Sequence, residues 1–404
     1  MILTNKKDIT RLSILFTLTY MVSYITRINY GAIISEMEAS TDFPRNLLSM
    51  ALTGSFITYG VGQVISGILG DKISPKKLVS IGYILTIVMN LLIPICQNPY
   101  QMLGVWCVNG FAQSFMWPPL VKLMTAYLSD DDYKKVSVRI SWGSSFGTIF
   151  IYLFAPLLII VGGWRSVFLF SAAAGLIMLL VWNRHAVDFV PEKQTKQGND
   201  NQKNKNLAVI FSPVMICVMI CIILQGMLRD GVTTWMPTYI SDTYNLSSVI
   251  SILTGVVLPL FSIFSFNMAS KLYRSVFKNT VFCAGVIFFA GAVCALALYL
   301  LTGFNAIFSV IFSALLSGCM HGVNLILICM VPHHFKKYGN VSTVSGIINS
   351  CTYIGSAIST YSIALLSEKL GWTFTLKTWL IVAIVGTALC FLVSKPWKKQ
   401  YQSE

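Results

Sequence analysis

Two guanidinium groups stand where only hydrocarbon is expected. Arg27 lies within LSILFTLTYMVSYITRINYGAII and Arg229 within VMICVMICIILQGMLRDGVTTWM. A charge at the centre of a bilayer-spanning helix costs about 2.5 to 3.5 kcal/mol even on insertion scales, so it persists where it faces a wet cavity lined by protein. Each arginine falls about sixteen residues into its apolar run, and the runs begin near residues 12 and 213. A planar guanidinium fork matches phosphate and carboxylate oxygens. The pairing therefore implies one central anion site, built twice.

Polar residues at helical spacing extend that site. Tyr20, Tyr24 and Arg27 follow i, i+4, i+7, and Gln225, Arg229 and Thr233 follow i, i+4, i+8, so each set lines one helix face. Further stripes are Tyr59 with Gln63; Asn109, Gln113 and Trp117; Ser317, His321 and Asn324; and Asn349, Tyr353 and Ser356. Any one of these could equally be interhelical hydrogen-bonding glue. Their recurrence in six runs is what a polar cavity requires. His321 could hydrogen-bond an anion or take a proton near neutral pH, or could simply be satisfied between helices. Asp230 is the one carboxylate well inside an apolar run and directly follows Arg229. Turned about 100° from that arginine on a helix, it either partners a neighbouring helix, tunes the arginine, or carries a coupling proton.

The elements that must position these groups are long apolar helices. Of 404 residues 55% are hydrophobic and 11% charged, with a mean hydropathy of +0.71, which excludes an ordinary water-soluble globule. Stretches long enough to cross a bilayer fall at roughly 12–35, 47–70, 78–97, 101–127, 136–161, 165–183, 213–240, 247–272, 280–302, 304–332, 341–366 and 372–393. The alternation of a barrel strand is absent, so the expected fold is an all-α integral membrane protein of twelve transmembrane helices. The first run is too long for a cleavable signal peptide and is expected to be a span.

The net charge of +14 reflects topology rather than nucleic-acid binding. With a cytoplasmic N-terminus, 21 of the 29 Lys and Arg residues fall on the inner side, against Arg45, Arg165, Lys369 and Lys377 outside. Both termini are thus expected in the cytoplasm and the chain in the cell's inner (plasma) membrane. Lys122 and Arg139, near span ends, read as snorkelling side chains.

One polar stretch, 184–206, divides six spans (1–183) from six (207–404) and reads as a cytoplasmic linker. Val136, Ser137, Gly147 and Trp164 recur 208 positions later as Val344, Ser345, Gly355 and Trp372. Such pseudo-symmetric halves place a substrate site between them and transport by rocking.

A signature fits this frame. Gly67-Ile-Leu-Gly70-Asp71-Lys72-Ile-Ser-Pro-Lys76-Lys77 resembles the cytoplasmic G-x-x-x-D-[RK]-x-G-[RK]-[RK] motif of the major facilitator superfamily, with Ser74 in place of a glycine. The resemblance implies gating roles for Asp71 and Lys72. Tyr24-Ile-Thr-Arg27-Ile-Asn29-Tyr30, Tyr59-Gly60, Trp117-Pro118-Pro119 with Lys122, and Arg229-Asp-Gly231 with Trp235-Met-Pro237 resemble the organophosphate:phosphate antiporter family, which includes glycerol-phosphate and hexose-phosphate transporters. Nearly the whole chain is covered. By that resemblance Arg27 and Arg229 grip the substrate phosphate, and Tyr30 joins the candidate site.

The departures bear on charge. Glycerol-phosphate members carry a lysine directly after the first arginine, a lysine in span two and a histidine in span five; here stand Ile28, Gln63 and no histidine from 136 to 161. Ten cysteines without a C-x-x-C pair, and the absence of H-E-x-x-H and of G-x-x-x-x-G-K-[ST], give no support to an enzyme, a metal, a cofactor or an ATP site. Three functions follow as expectations: exchange of a phosphorylated metabolite for inorganic phosphate, proton-coupled symport of another organic anion such as a carboxylate, or non-transporting anion sensing. The partners expected are a small anion and the bilayer, with no nucleic acid and a monomer as the working unit.

Overall fold

Capping side chains fix where the spans begin. The structure, a computed structural model, describes residues 3–41, 43, 45–187, 209–245, 257–338 and 340–402. Asn5, Asn98, Ser129, Ser212, Asn279 and Asn305 each accept a backbone N–H of the first helical turn through the side chain, satisfying donors that the helix cannot satisfy itself. Most of the polar stretch 184–206 and the start of the eighth stretch, 247–256, lie outside the described residues.

Among the described residues the chain is helical and has no strand. The first three spans are Lys6–Ala32, Arg45–Gly70 and Pro75–Leu92. The fifth and sixth form one run, Asp130–His185, that turns at Gly162 and Gly163; the eleventh and twelfth form another, Val341–Trp397, that turns at Gly371. Gly163 and Gly371 have φ of 67° and 77°, a region that side chains resist and glycine accepts. Span seven is Pro213–Tyr244, ended by Asn245 in the left-handed conformation. Spans eight to ten are Val257–Ser275, Thr280–Leu301 and Ala306–Asn324, the last continuing in wider turns through Leu325–Met330.

Span four differs from the single stretch expected. It is two helices, Pro99–Gln113 and Trp117–Tyr127, separated by Ser114, Phe115 and Met116. Pro118 and Pro119 have no N–H to return to the preceding turn, so the helix restarts at Trp117.

Two compact units result: Met1–Gln197 with Phe335–Ser350, and Gly198–His334 with Cys351–Glu404. The first turns of span eleven therefore belong to the first unit. Within that unit the Tyr30 ring packs tilted at 5.0 Å from Trp106 and edge-on at 6.0 Å from Phe168, in an apolar cluster that joins spans one, four and six.

The internal repeat is visible in how spans pack. A Cβ placed on Gly147 would lie 2.5 Å from the carbonyl oxygen of Met21, and one placed on Gly355 would collide with that of Ile223. Met21 precedes Arg27 by the same six positions that separate Ile223 from Arg229. Span five thus approaches span one as span eleven approaches span seven, and the two arginines occupy matching positions in the repeat.

Candidate functional site

Arg27 lies over two aromatic rings. Its guanidinium carbon is 4.3 Å from the Tyr24 ring centre and 4.7 Å from that of Tyr59, which brings span two to span one by a cation–π contact. Tyr20 extends the group, 5.1 Å from Tyr24 and 5.2 Å from Trp117 at the restart of span four. Both the i, i+4 spacing on span one and the helix break in span four are needed to assemble these rings.

Gln113 joins a buried hydrogen-bonded network beneath them. Its amide nitrogen, Nε2, donates to Thr26 Oγ1 at 2.8 Å and to Thr86 Oγ1 at 3.3 Å, while Asn109 and Asn90 donate to the Thr26 carbonyl and Asn29 donates to Asn90. Tyr30 points into the aromatic cluster already described, its hydroxyl donating to the Leu48 carbonyl at 3.2 Å. Gln63 Nε2 reaches the Ser114 carbonyl at 3.4 Å, the acceptor that Pro118 leaves without its helical donor. Asn349 in turn donates to Gln63 Oε1 at 3.0 Å.

Asp71 caps the start of span eleven. Its carboxylate accepts the Ser342 and Thr343 N–H groups at 3.2 and 2.8 Å and the Lys122 ammonium at 2.9 Å. A carboxylate at a helix N-terminus meets both free donors and the positive end of the macrodipole. The glycines of the signature make the approach possible, because a Cβ on Gly67 would lie 2.7 Å from the Ser342 carbonyl and one on Gly70 would strike the Ser342 hydroxyl. Lys122 is therefore not a snorkelling side chain; it is 13% exposed and paired. Lys72 and Arg139 are exposed.

In the second unit, Arg229 is held by its own neighbour. Its Nε donates to Asp230 Oδ1 at 2.6 Å and its Nη2 to Asp230 Oδ2 at 2.9 Å, a two-pronged pair between consecutive residues. Ser356 of span eleven also donates to Asp230 Oδ2. Thr233 donates to the Arg229 carbonyl at 2.6 Å and lies 3.2 Å from the Ser317 hydroxyl, and Gln225 donates to the Met320 carbonyl at 3.1 Å. His321 meets the Phe266 ring edge-on at 5.6 Å. Asn324 has a buried amide nitrogen with no hydrogen-bond partner among the described residues, and Tyr353 is half-buried.

The expected site residues thus form local groups. Tyr24, Arg27 and Tyr59 come together, as do Arg229 and Asp230; Gln63 and Asn349 join each other; Gln113, Gln225 and Tyr30 have partners in span packing. The sequence reading overlooked Ser356 as the partner of Asp230, Asn90 in the Thr26 network, and Lys122 as the partner of Asp71. Opposite charges near the C-terminal ends of spans two and four were the available signal for that last pair.

Comparison with known proteins places this geometry. The family model described as Major Facilitator Superfamily matches residues 16–360. The chain belongs to that superfamily. It is a multi-pass membrane transport protein and not an enzyme. A membrane sensor protein UhpC of Salmonella typhimurium is 23% identical over 88% of this chain and 85% of the relative. A probable hexose phosphate transport protein of Chlamydia trachomatis is 22% identical over 96% and 90%, and a glycerol-3-phosphate transporter of Bacillus subtilis 24% identical over 93% and 90%. These relatives agree with the resemblance to the organophosphate:phosphate antiporters. A solved proton:xylose symporter, XylE, superposes with a TM-score of 0.76 over 99% of this chain and 97% of its own at 12% identity, which shows the twelve-helix fold alone.

Proposed function

We propose that this protein is a secondary transporter of a small organic anion, a phosphorylated metabolite exchanged for inorganic phosphate by alternating access. The observation that supports this reading is the placement of Arg27 and Arg229 at matching positions of the repeated helix packing. Each half thus carries a guanidinium inside its apolar spans, and a guanidinium fork matches phosphate and carboxylate oxygens. Binding of an anion to these groups is the step that lets the loaded carrier turn over. This makes exchange the natural mode, with Asp71 as a gating group and Asp230 as a group that tunes Arg229. The chain works as a monomer in the inner membrane with both termini in the cytoplasm.

A sensor is the second reading, favoured by the name of the Salmonella typhimurium relative. Counterflow in proteoliposomes separates the two. Labelled phosphate should enter faster when unlabelled phosphate is inside than when it is not. Uptake driven by an imposed pH gradient, without acceleration by internal phosphate, would instead identify a proton symporter. Saturable binding with no flux would identify a sensor.

A further inference from the structure

Asn109 is a buried amide satisfied on one side alone. Its Nδ2 donates to the Thr26 carbonyl at 3.3 Å, and its Oδ1 has no hydrogen-bond partner among the described residues. The Thr26 carbonyl can only accept, so the nitrogen end of the amide must face it. The other amides of this network are better satisfied: Asn90 accepts from Asn29 at 2.7 Å and donates to the Thr26 and Thr86 carbonyls, and Gln113 donates to both threonine hydroxyls. A buried acceptor without a donor costs stability, so an apolar side chain at 109 would serve the core better. What the amide does contribute is its bond to Thr26.

That bond falls on the peptide leading into Arg27. The Thr26 carbonyl and the nitrogen and Cα of Arg27 lie in one rigid plane. Donors from span three, Asn90 at 3.2 Å, and from span four, Asn109 at 3.3 Å, therefore hold the root of the Arg27 side chain. Asn109 is itself firmly placed against span two. Thr58 donates to the Cys107 carbonyl at 2.7 Å, and a Cβ on Gly110 would collide with the Ser55 carbonyl. At the far end of the arginine the Tyr24 and Tyr59 rings meet the guanidinium. All of these residues belong to the first compact unit.

We infer that Asn109 is a positioning residue for Arg27, setting the direction of the guanidinium through the Thr26 peptide. The inference rests on the transport reading above, in which Arg27 takes part in anion recognition. A guanidinium recognises an anion through a planar fork, so a small tilt at its root misaligns the donors. Anion affinity then depends on Asn109 although the amide acts on the backbone of span one.

Phosphate counterflow of the reconstituted full chain tests this, read as the half-saturating phosphate concentration and the maximum rate, beside the unfolding temperature in detergent. Asn109→Leu and Asn109→Ala both remove the donor together with the unpaired acceptor, one with a larger side chain and one with a smaller, which separates overpacking from a void. Both should raise the half-saturating concentration roughly threefold to tenfold, with the maximum rate within about twofold of wild type. At least one of them should keep the wild-type unfolding temperature or exceed it. In an Arg27→Lys background, measured on its residual exchange, neither should shift half-saturation further, because an ammonium has no plane to aim.

Wild-type half-saturation in both variants would overturn the inference while leaving anion transport standing. An equal shift in the Arg27→Lys background would overturn it too, since the amide would then act independently of the guanidinium. So would a lowered unfolding temperature in both variants, which would make Asn109 a contact of the core. Absence of counterflow by the wild-type chain would remove the transport reading and this inference with it.

Discussion

Asp71 and Lys122, separated by 51 positions, form an ion pair at 2.9 Å in which both side chains are largely buried, and the same carboxylate caps the start of span eleven. The carboxylate has three donors and the ammonium is its satellite. Asp71→Asn removes the charge that holds all three and leaves Lys122 without its carboxylate, at a cost of about 1 to 3 kcal/mol. Lys122→Met keeps the two backbone hydrogen bonds and costs less. Thermal unfolding in detergent should therefore rank wild type above Lys122→Met and Lys122→Met above Asp71→Asn. The reverse order for the two variants would show that the helix cap contributes little.

Glycine substitutions test the repeat. Gly147→Ala and Gly355→Ala each drive a methyl group into a backbone carbonyl of the facing span, an overpacking cost of about 1 to 3 kcal/mol. Gly104→Ala meets nothing within 4 Å and should be neutral or slightly stabilising, because alanine favours a helix. The yield of monodisperse protein and its unfolding temperature measure this. Equal behaviour of all three variants would contradict the close approach of span five to span one and of span eleven to span seven.

Tyr59 tests the aromatic support of Arg27. Tyr59→Phe keeps the ring 4.7 Å from the guanidinium carbon and should transport normally, whereas Tyr59→Leu loses a contact of about 1 to 2 kcal/mol. That corresponds to a loss of affinity of roughly tenfold, measured as the half-saturating phosphate concentration in counterflow. Should Tyr59→Leu match Tyr59→Phe, the rings do not hold the arginine in its working position.

Much of this was legible because membrane physics leaves few choices. Arg27 and Arg229 were conspicuous as charges in apolar runs, and the turns at Gly163 and Gly371 were marked by the glycine beside Trp164 and Trp372. Tertiary partners were not legible. Lys122 reads as a snorkelling residue until span two places Asp71 beside it, and the Pro118-Pro119 pair was read for its family likeness rather than as the restart of a helix. Tyr30 shows the limit of spacing. It lies about 60° around the helix from Arg27, which leaves its direction open, and contacts with Trp106 and Phe168 decide it. Asp230 stood out by type, but its two-pronged hold on Arg229 depends on rotamers that a sequence does not specify.

The central claim, made as a proposal, is that the guanidinium forks of Arg27 and of Arg229 each take part in anion recognition, and phosphate counterflow of Arg27→Lys and Arg229→Lys, each reconstituted at matched amounts, tests it most directly. Lysine preserves the charge but not the planar fork. Both variants should be present in the membrane at wild-type levels and should lose at least about tenfold in exchange rate, which is about 1.4 kcal/mol of recognition. Near-normal exchange by both would contradict the account, since charge alone at those positions would then suffice.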